Sequence, residues 1–250
     1  MNFFGIELKA GNDFHVEKRE MTCPIHGKYE AQIAICGEQE LGGFCPHCMA
    51  SKTEEQKRKE FVAKCKAANI EPEYYDYTLD SFIPKSETQK QAKEAVAEMI
   101  KNKHGKVVLL GKNGVGKSML ASVAAKELGG KIYTMYEISA MIRQSYTVKA
   151  ERSELDIVNE LASIPFLAID EMGRTKGSET EHNWLSFILD KRHTRRLPFM
   201  LLTNAHFAKD CPKNGCPKCF ENFIDSDVLS RLQEDSRIIV VEADDIRKVR

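Results

Sequence analysis

Residues 111–118 read Gly-Lys-Asn-Gly-Val-Gly-Lys-Ser, a match to G-x-x-x-x-G-K-[ST] that is flanked as the pattern demands. The preceding Lys106-Val107-Val108-Leu109-Leu110 suits a buried strand, and the following Met119-Leu120-Ala121-Ser122-Val123-Ala124-Ala125-Lys126-Glu127-Leu128 suits a helix. Strand, glycine loop and helix in this order confine the segment to a phosphate-binding unit and the chain to the α/β class. Glycines let the loop curl until several N–H groups face one anion, and the helix start adds its positive dipole end. Gly111, Asn113, Gly114, Val115, Gly116, Lys117, Ser118 and Met119 then form a nucleotide cradle. Lys117 is expected to reach the β/γ-phosphates and Ser118 a magnesium ion. The alternative is a glycine-rich turn that binds nothing, and both flanking elements argue against it.

Such a loop needs carboxylates from a second buried strand. Ile164-Pro165-Phe166-Leu167-Ala168-Ile169-Asp170-Glu171 supplies two, Asp170 for the Mg²⁺ shell and Glu171 to polarise an attacking water. Adjacent strand residues face opposite sides, so the chain must turn at the strand's end to bring both to one place. A third run, Pro198-Phe199-Met200-Leu201-Leu202-Thr203-Asn204, puts Asn204 where it can orient water or the γ-phosphate, because ligands of open α/β sheets bind beyond the carboxyl ends of the strands. Capping of a following helix is the other use of Thr203 and Asn204.

The chain has 250 residues, and its 37 lysines and arginines equal its 37 aspartates and glutamates. A net charge of zero argues against a bulk polyanion binder and leaves room for a local DNA groove. No apolar run approaches the roughly 20 residues of a membrane span, and the N-terminus lacks a basic-then-apolar layout. A cytoplasmic location without membrane contact is therefore expected. In that compartment the eight cysteines stay reduced, and their clustering points to metal.

Cys23-Pro24-Ile25-His26 and Cys45-Pro46-His47-Cys48 are two knuckles that offer Cys23, His26, Cys45 and Cys48 to one tetrahedral zinc ion. Cys36 and His47 are spare candidates without a matched knuckle. Residues 1–50 carry few large apolar side chains, so a metal would supply stability that a core cannot. Cys211, Cys216 and Cys219 form a second cluster of three thiols that needs a fourth ligand. His206 is nearest, Asp210 or a water are alternatives, and a cysteine-rich loop without metal remains open. The expected organisation is a zinc-binding module at 1–50, a charged linker helix at 51–68 and an ATPase domain at 69–250. Within the last, the aromatics of Tyr74-Tyr75-Asp76-Tyr77 read either as a lid near the adenine or as a packed loop, and a helix is expected over 87–101.

From residue 69 onward the chain resembles the DnaC-type helicase loaders of bacteria and phages, within the AAA+ class. The resemblance is carried by Thr78-Leu79-Asp80-Ser81-Phe82, the glycine loop, Ile169-Asp170-Glu171-Met172-Gly173, Leu202-Thr203-Asn204 and Val228-Leu229-Ser230-Arg231-Leu232. It implies an AAA+ fold, a parallel sheet flanked by helices, with ATP hydrolysed at the subunit interfaces of a homo-oligomer. It also implies a replicative DNA helicase and single-stranded DNA as partners. Arg231 matches an arginine finger that reaches a neighbouring subunit, and Arg247 falls near a sensor arginine; the rigid guanidinium fork suits either task. In the same family a helix after the second strand helps to form a DNA groove. That helix matches residues 133–146, where Arg143 and Tyr146, with Ser178 nearby, are the DNA candidates. An amphipathic packing helix explains the stretch as well. The basic run at 191–196 suits phosphates, a neighbouring subunit or simply a helix C-terminus. Transposition ATPases of the IstB type share this core and differ in partner, while a zinc-dependent nucleic-acid module with a slow ATP switch is a further reading. The knuckles at 23–48 and the cysteines at 211–219 depart from the family pattern.

Overall fold

A computed structural model describes residues 2–3, 6–7, 14–36, 39–174, 178–211, 213, 216 and 218–244. The chain divides into two compact units, Met1–Ala63 and Lys64–Arg250.

In the first unit β1 (Asn2–Phe3) pairs with β2 (Ile6–Glu7), and β3 (Phe14–Cys23), β4 (Gly27–Cys36) and β5 (Gln39–Gly42) form an antiparallel sheet. The sequence does not advertise these strands, because their ladder is laced with charge pairs rather than alternating apolar residues. Lys18 meets Glu30 at 2.7 Å, Lys28 meets Glu20 at 2.6 Å and Arg19 meets Glu40 at 2.9 Å. Cys23, Ala31, Ile33, Ala34 and Cys45 are its buried apolar residues among those described. Helix α1 (Pro46–Ala67) starts earlier than the linker expected from the sequence, with Pro46 in the first position, where a missing N–H costs nothing.

The second unit runs α2 (Glu87–Asn102), β6 (Lys106–Leu110), α3 (Lys117–Leu128), β7 (Lys131–Thr134), α4 (Met135–Ser145), α5 (Glu154–Leu161), β8 (Leu167–Met172), α6 (Glu179–Thr194), β9 (Phe199–Thr203), α7 (Ser226–Asp235) and β10 (Arg237–Val240). Its five strands form one parallel sheet in the order β10-β6-β9-β8-β7. Strands β6 and β9 are buried along their whole length, as expected for a sheet covered on both faces. Leu109, Leu110, Phe166, Leu167 and Phe199 are fully buried, each contributing about 1.5–3 kcal/mol of transfer free energy. Because β9 lies between β6 and β8, its end is held between the glycine loop and the carboxylate strand.

Helices α4, α5 and α6 each open with a reciprocal capping box, formed by Thr134 with Glu137, Ser153 with Asp156 and Ser178 with Glu181. The helix expected over 133–146 thus begins at Met135, since Tyr133 and Thr134 complete β7. It packs through Met135, Ile138, Ser139 and Ile142. Within the basic run, Arg192 is fully buried and donates to the carbonyls of Ile164 at 2.8 Å and Pro198 at 2.6 Å, so this residue serves the fold. Among the described residues no helix is long and apolar enough to cross a membrane.

Candidate functional site

The carboxyl ends of β6, β8 and β9 open into a cavity of about 450 Å³. The glycine loop forms one wall, its backbone turning through positive φ at Gly114 (80°) and Gly116 (99°), where a side chain would be strained. Lys117, in the first turn of α3, is buried and donates from Nζ to the carbonyls of Gly111 at 2.7 Å and Lys112 at 2.9 Å, and to Asn204 Oδ1 at 2.9 Å. Asn204 Nδ2 in turn donates to Asn113 Oδ1 at 2.7 Å. Asn204 therefore does not cap a helix; Thr203 is also engaged, donating from Oγ1 to the Met172 carbonyl at 2.6 Å. Val115, within the loop, and Met119, which lines the cavity, are both buried.

Ser118 Oγ donates to Asp170 Oδ2 at 2.6 Å, which puts a hydroxyl and a carboxylate side by side at the cavity wall. Both are hard oxygen donors and fit a magnesium ion. The neighbouring Glu171 also lines the cavity, and the backbone shows how. Its φ is +57°, the β8–β9 register shifts between Ile169 and Met172, and its N–H bonds Asp170 Oδ1 at 2.6 Å. A non-glycine residue in the left-handed region is uncommon and costly. The Glu171 carboxylate is held by Arg174 Nη1 at 2.7 Å.

Two supports were not legible as site residues. Gln89, fully buried on α2, donates from Nε2 to the Val115 carbonyl at 3.0 Å and so fixes the glycine loop from behind. Lys126, in the last turn of α3, donates to the carbonyls of Tyr74 at 2.9 Å and Tyr75 at 2.8 Å and also to that of Tyr77. Burial holds its pKa below the usual lysine value. This anchor places Tyr74 and Tyr77 on the cavity wall, with ring centroids 6.1 Å apart. Both contacts depend on tertiary approach and leave no pattern in the sequence.

The remaining predicted residues lie elsewhere. Arg231, on α7, pairs with Asp190 of α6, is half exposed and does not occur among the described residues lining the cavity. Arg247 lies outside the described residues. Tyr146 is 58% exposed, and its hydroxyl donates to Glu154. Arg143 donates to the Ser139 carbonyl at 3.2 Å and stacks over the Tyr136 ring at 5.8 Å. Ser178 is the N-cap of α6.

Two clusters of soft ligands also form among the described residues. Cys23, His26, Cys45 and Cys48 bring their ligand atoms within 4.8 Å of one another. The Cys23 and Cys48 sulfurs are 3.6 Å apart, and His26 Nδ1 is 3.7, 3.7 and 3.4 Å from Cys23, Cys45 and Cys48. Tetrahedral zinc bonds of about 2.3 Å to sulfur and about 2.0–2.1 Å to nitrogen require edges of roughly 3.5–3.8 Å, so this set fits the ion. A disulfide is excluded by the same distance, since its sulfurs lie about 2.05 Å apart. The Ile25 amide, 3.4 Å from Cys23 Sγ, is the main cause that lowers that thiol's pKa to about 6, while sharing with Cys23 pushes Cys48 up to about 11. The second cluster brings Cys211, Cys216 and Cys219 together with His206, again within 4.8 Å.

The family model described as IstB-like ATP binding protein matches residues 47–250. The replicative helicase loader DnaC of Escherichia coli K12 is 26% identical over 147 residues, which cover 56% of this chain and 60% of that protein. DnaC of Buchnera aphidicola subsp. Schizaphis graminum is 21% identical over 196 residues, covering 75% of this chain and 78% of that one. The chain thus spans 60% of the length of the first of these relatives. Among solved structures, the DnaC helicase loader superposes with a TM-score of 0.53 at 17% identity, over 69% of this chain and 100% of that one. DnaI superposes at 0.54 with 16% identity, over 71% and 94%. AMPPCP-bound DnaA from Aquifex aeolicus superposes at 0.55 with 19% identity, over 71% and 53%. These likenesses establish the AAA+ fold, a parallel sheet flanked by helices.

Proposed function

The chain belongs to the IstB-like ATP binding proteins, and on that premise we propose that it is an ATP-hydrolysing loader of a replicative DNA helicase, acting in DNA replication in the cytoplasm of a bacterium or a phage-infected cell. The observation that carries this reading is the convergence of Lys117, Ser118, Asp170, Glu171 and Asn204 on one cavity at the carboxyl ends of three adjacent strands. The relatives named as replicative helicase loaders support the partner.

In this mechanism Lys117 exchanges the carbonyls of Gly111 and Lys112 for β/γ-phosphate oxygens, a trade of neutral acceptors for anionic ones that favours the bound state. Ser118 and Asp170 would hold magnesium, which would supply positive charge to offset that of the phosphates. Glu171 orients the attacking water once Arg174 yields its carboxylate, and Asn204, already hydrogen-bonded to Lys117, reports the γ-phosphate to β9. Tyr74 and Tyr77 flank the base. Arg231, outside its own cavity, serves the site of the next subunit in a homo-oligomer. Arg247 acts as the sensor arginine, and Arg143, Tyr146 and Ser178 contact single-stranded DNA. Residues 1–50 hold zinc through Cys23, His26, Cys45 and Cys48.

The test is capture of a replicative helicase by the tagged protein in its source cell, with ATP turnover measured with and without single-stranded DNA. A transposase captured instead favours the second reading, a transposition ATPase, which the IstB-like family description supports. Neither partner, together with turnover indifferent to DNA, overturns the loader.

A further inference from the structure

The connection from the end of β9 to the start of α7 spans residues 204–225, and among its described residues the helical content is two short 3₁₀ turns, Ala208–Asp210 and Phe220–Phe223. A connection of that length is uncommon in a compact domain unless something closes it. At its centre lie three thiols and an imidazole. Cys211, Cys216 and Cys219 are not in disulfides, and their sulfurs and His206 Nε2 all lie within 4.8 Å of one another. His206 Nε2 is 3.7 Å from Cys219 Sγ, within the roughly 3.5–3.8 Å edge of a zinc tetrahedron.

The backbone around the ligands is already zipped. His206 and Cys219 form a parallel bridge, the Phe220 amide donates to the His206 carbonyl at 2.8 Å, and the Cys219 amide donates to the Cys216 carbonyl at 3.4 Å. Three cysteines alone left the fourth ligand undecided in the sequence; the bridge brings His206 to the site.

We propose that His206, Cys211, Cys216 and Cys219 bind one zinc ion, and that this ion clamps the connection between Asn204 and the helix that carries Arg231. The three sulfurs bind as thiolates and the imidazole as the neutral ring, with the displaced protons passing to solvent. On one side of the clamp, His206 is two residues from Asn204, whose amide holds Lys117. On the other side, Phe220 is fully buried, and Phe223 packs against Gly173, where an added Cβ would lie 2.9 Å from the Phe223 ring. Gly173 directly follows the carboxylate strand. Asn222 Nδ2 donates to the Cys216 carbonyl at 2.8 Å, and His182 of α6 contacts both the Asn222 carbonyl and Asp225, the N-cap of α7, at 3.1 Å. The metal thus ties the end of β9, the turn after β8 and the start of α7 into one piece. The metal assignment stands without the nucleotide reading; the value of the clamp to Asn204 and Arg231 rests on it.

The experiment is zinc analysis of the full chain. About two zinc ions per chain are expected in the wild type, and about one in each of the double variants Cys45→Ser/Cys48→Ser and Cys216→Ser/Cys219→Ser. A first variant with no zinc, or a second with as much zinc as the wild type, overturns the site. If Cys216→Ser/Cys219→Ser does not fold, His206→Ala is read instead: its folded form should give up one zinc ion to a chelator that leaves the wild type at two, and retention equal to the wild type removes His206 from the ligand set. Cobalt substitution of Cys45→Ser/Cys48→Ser reads the second site alone through the charge-transfer bands of a thiolate-rich tetrahedral centre. For the clamp, amide hydrogen exchange should quicken over α7 and not over α2 when the second site is removed. Unchanged exchange over α7 in a zinc-depleted variant leaves an ion without a clamping role and overturns that half of the proposal.

Discussion

Ser118 Oγ and Asp170 Oδ2 are joined by a 2.6 Å hydrogen bond, so the helix that follows the glycine loop and the strand that carries the carboxylates meet through the two groups suited to a hard cation. Asp170→Asn keeps the hydrogen bond and removes the charge. Nucleotide titrations should then show little difference between magnesium and chelator, whereas the wild type binds more tightly with the metal. An undiminished magnesium effect in the variant removes Asp170 from the cation shell.

Lys117→Ala and Glu171→Gln should separate binding from chemistry. Lys117 has anionic partners in every bound state, so its loss weakens ATP affinity itself. Glu171→Gln keeps the size and the left-handed backbone yet cannot polarise water, and turnover should fall by roughly 10²–10⁴ with affinity nearly unchanged. Equal loss of affinity in both variants contradicts the assignment.

The loop, the carboxylate pair and Asn204 were legible because each is a short run with its own flanking strand, and a local pattern is what a sequence displays. The means by which Glu171 joins Asp170 was not legible. It requires a positive φ and a register shift in β8, and an acidic pair at the end of an apolar run does not specify either. Gln89 and Lys126 leave no trace in the sequence for another reason: their partners, Val115 and the Tyr74–Tyr77 carbonyls, are brought near only by the folded chain. The β3–β4 hairpin was hidden because pairs such as Lys18 with Glu30 occupy positions where apolar alternation would have revealed strands.

The first unit should depend on metal. With Cys23, Ala31, Ile33, Ala34 and Cys45 as its described buried apolar residues, its core is thin, and structural zinc contributes about 10–16 kcal/mol in comparably small peptides. Cys45→Ser/Cys48→Ser should therefore abolish the strand signal and protease resistance of residues 14–42 while the second unit keeps its own melting transition. Retention of a protected 14–42 segment in zinc-free protein contradicts this dependence.

Arg231 is paired with Asp190 at a half-exposed surface, where an ion pair is worth only about 0–1 kcal/mol. Such a pair is readily exchanged for a phosphate, whose oxygens accept the guanidinium fork in a drier setting. If Arg231 completes a neighbour's site, Arg231→Ala should bind ATP nearly as the wild type does and hydrolyse it far more slowly, by up to roughly 10³–10⁵ where arginine fingers act most strongly. The decisive measurement mixes Arg231→Ala with Lys117→Ala. Each is inactive alone, but an interface that joins the intact cavity of the first to the intact arginine of the second should regain part of the rate. An arginine acting within its own chain gives no recovery, because no subunit in the mixture then carries both groups. Absence of rescue in oligomers shown to be mixed would end the case for Arg231 in trans.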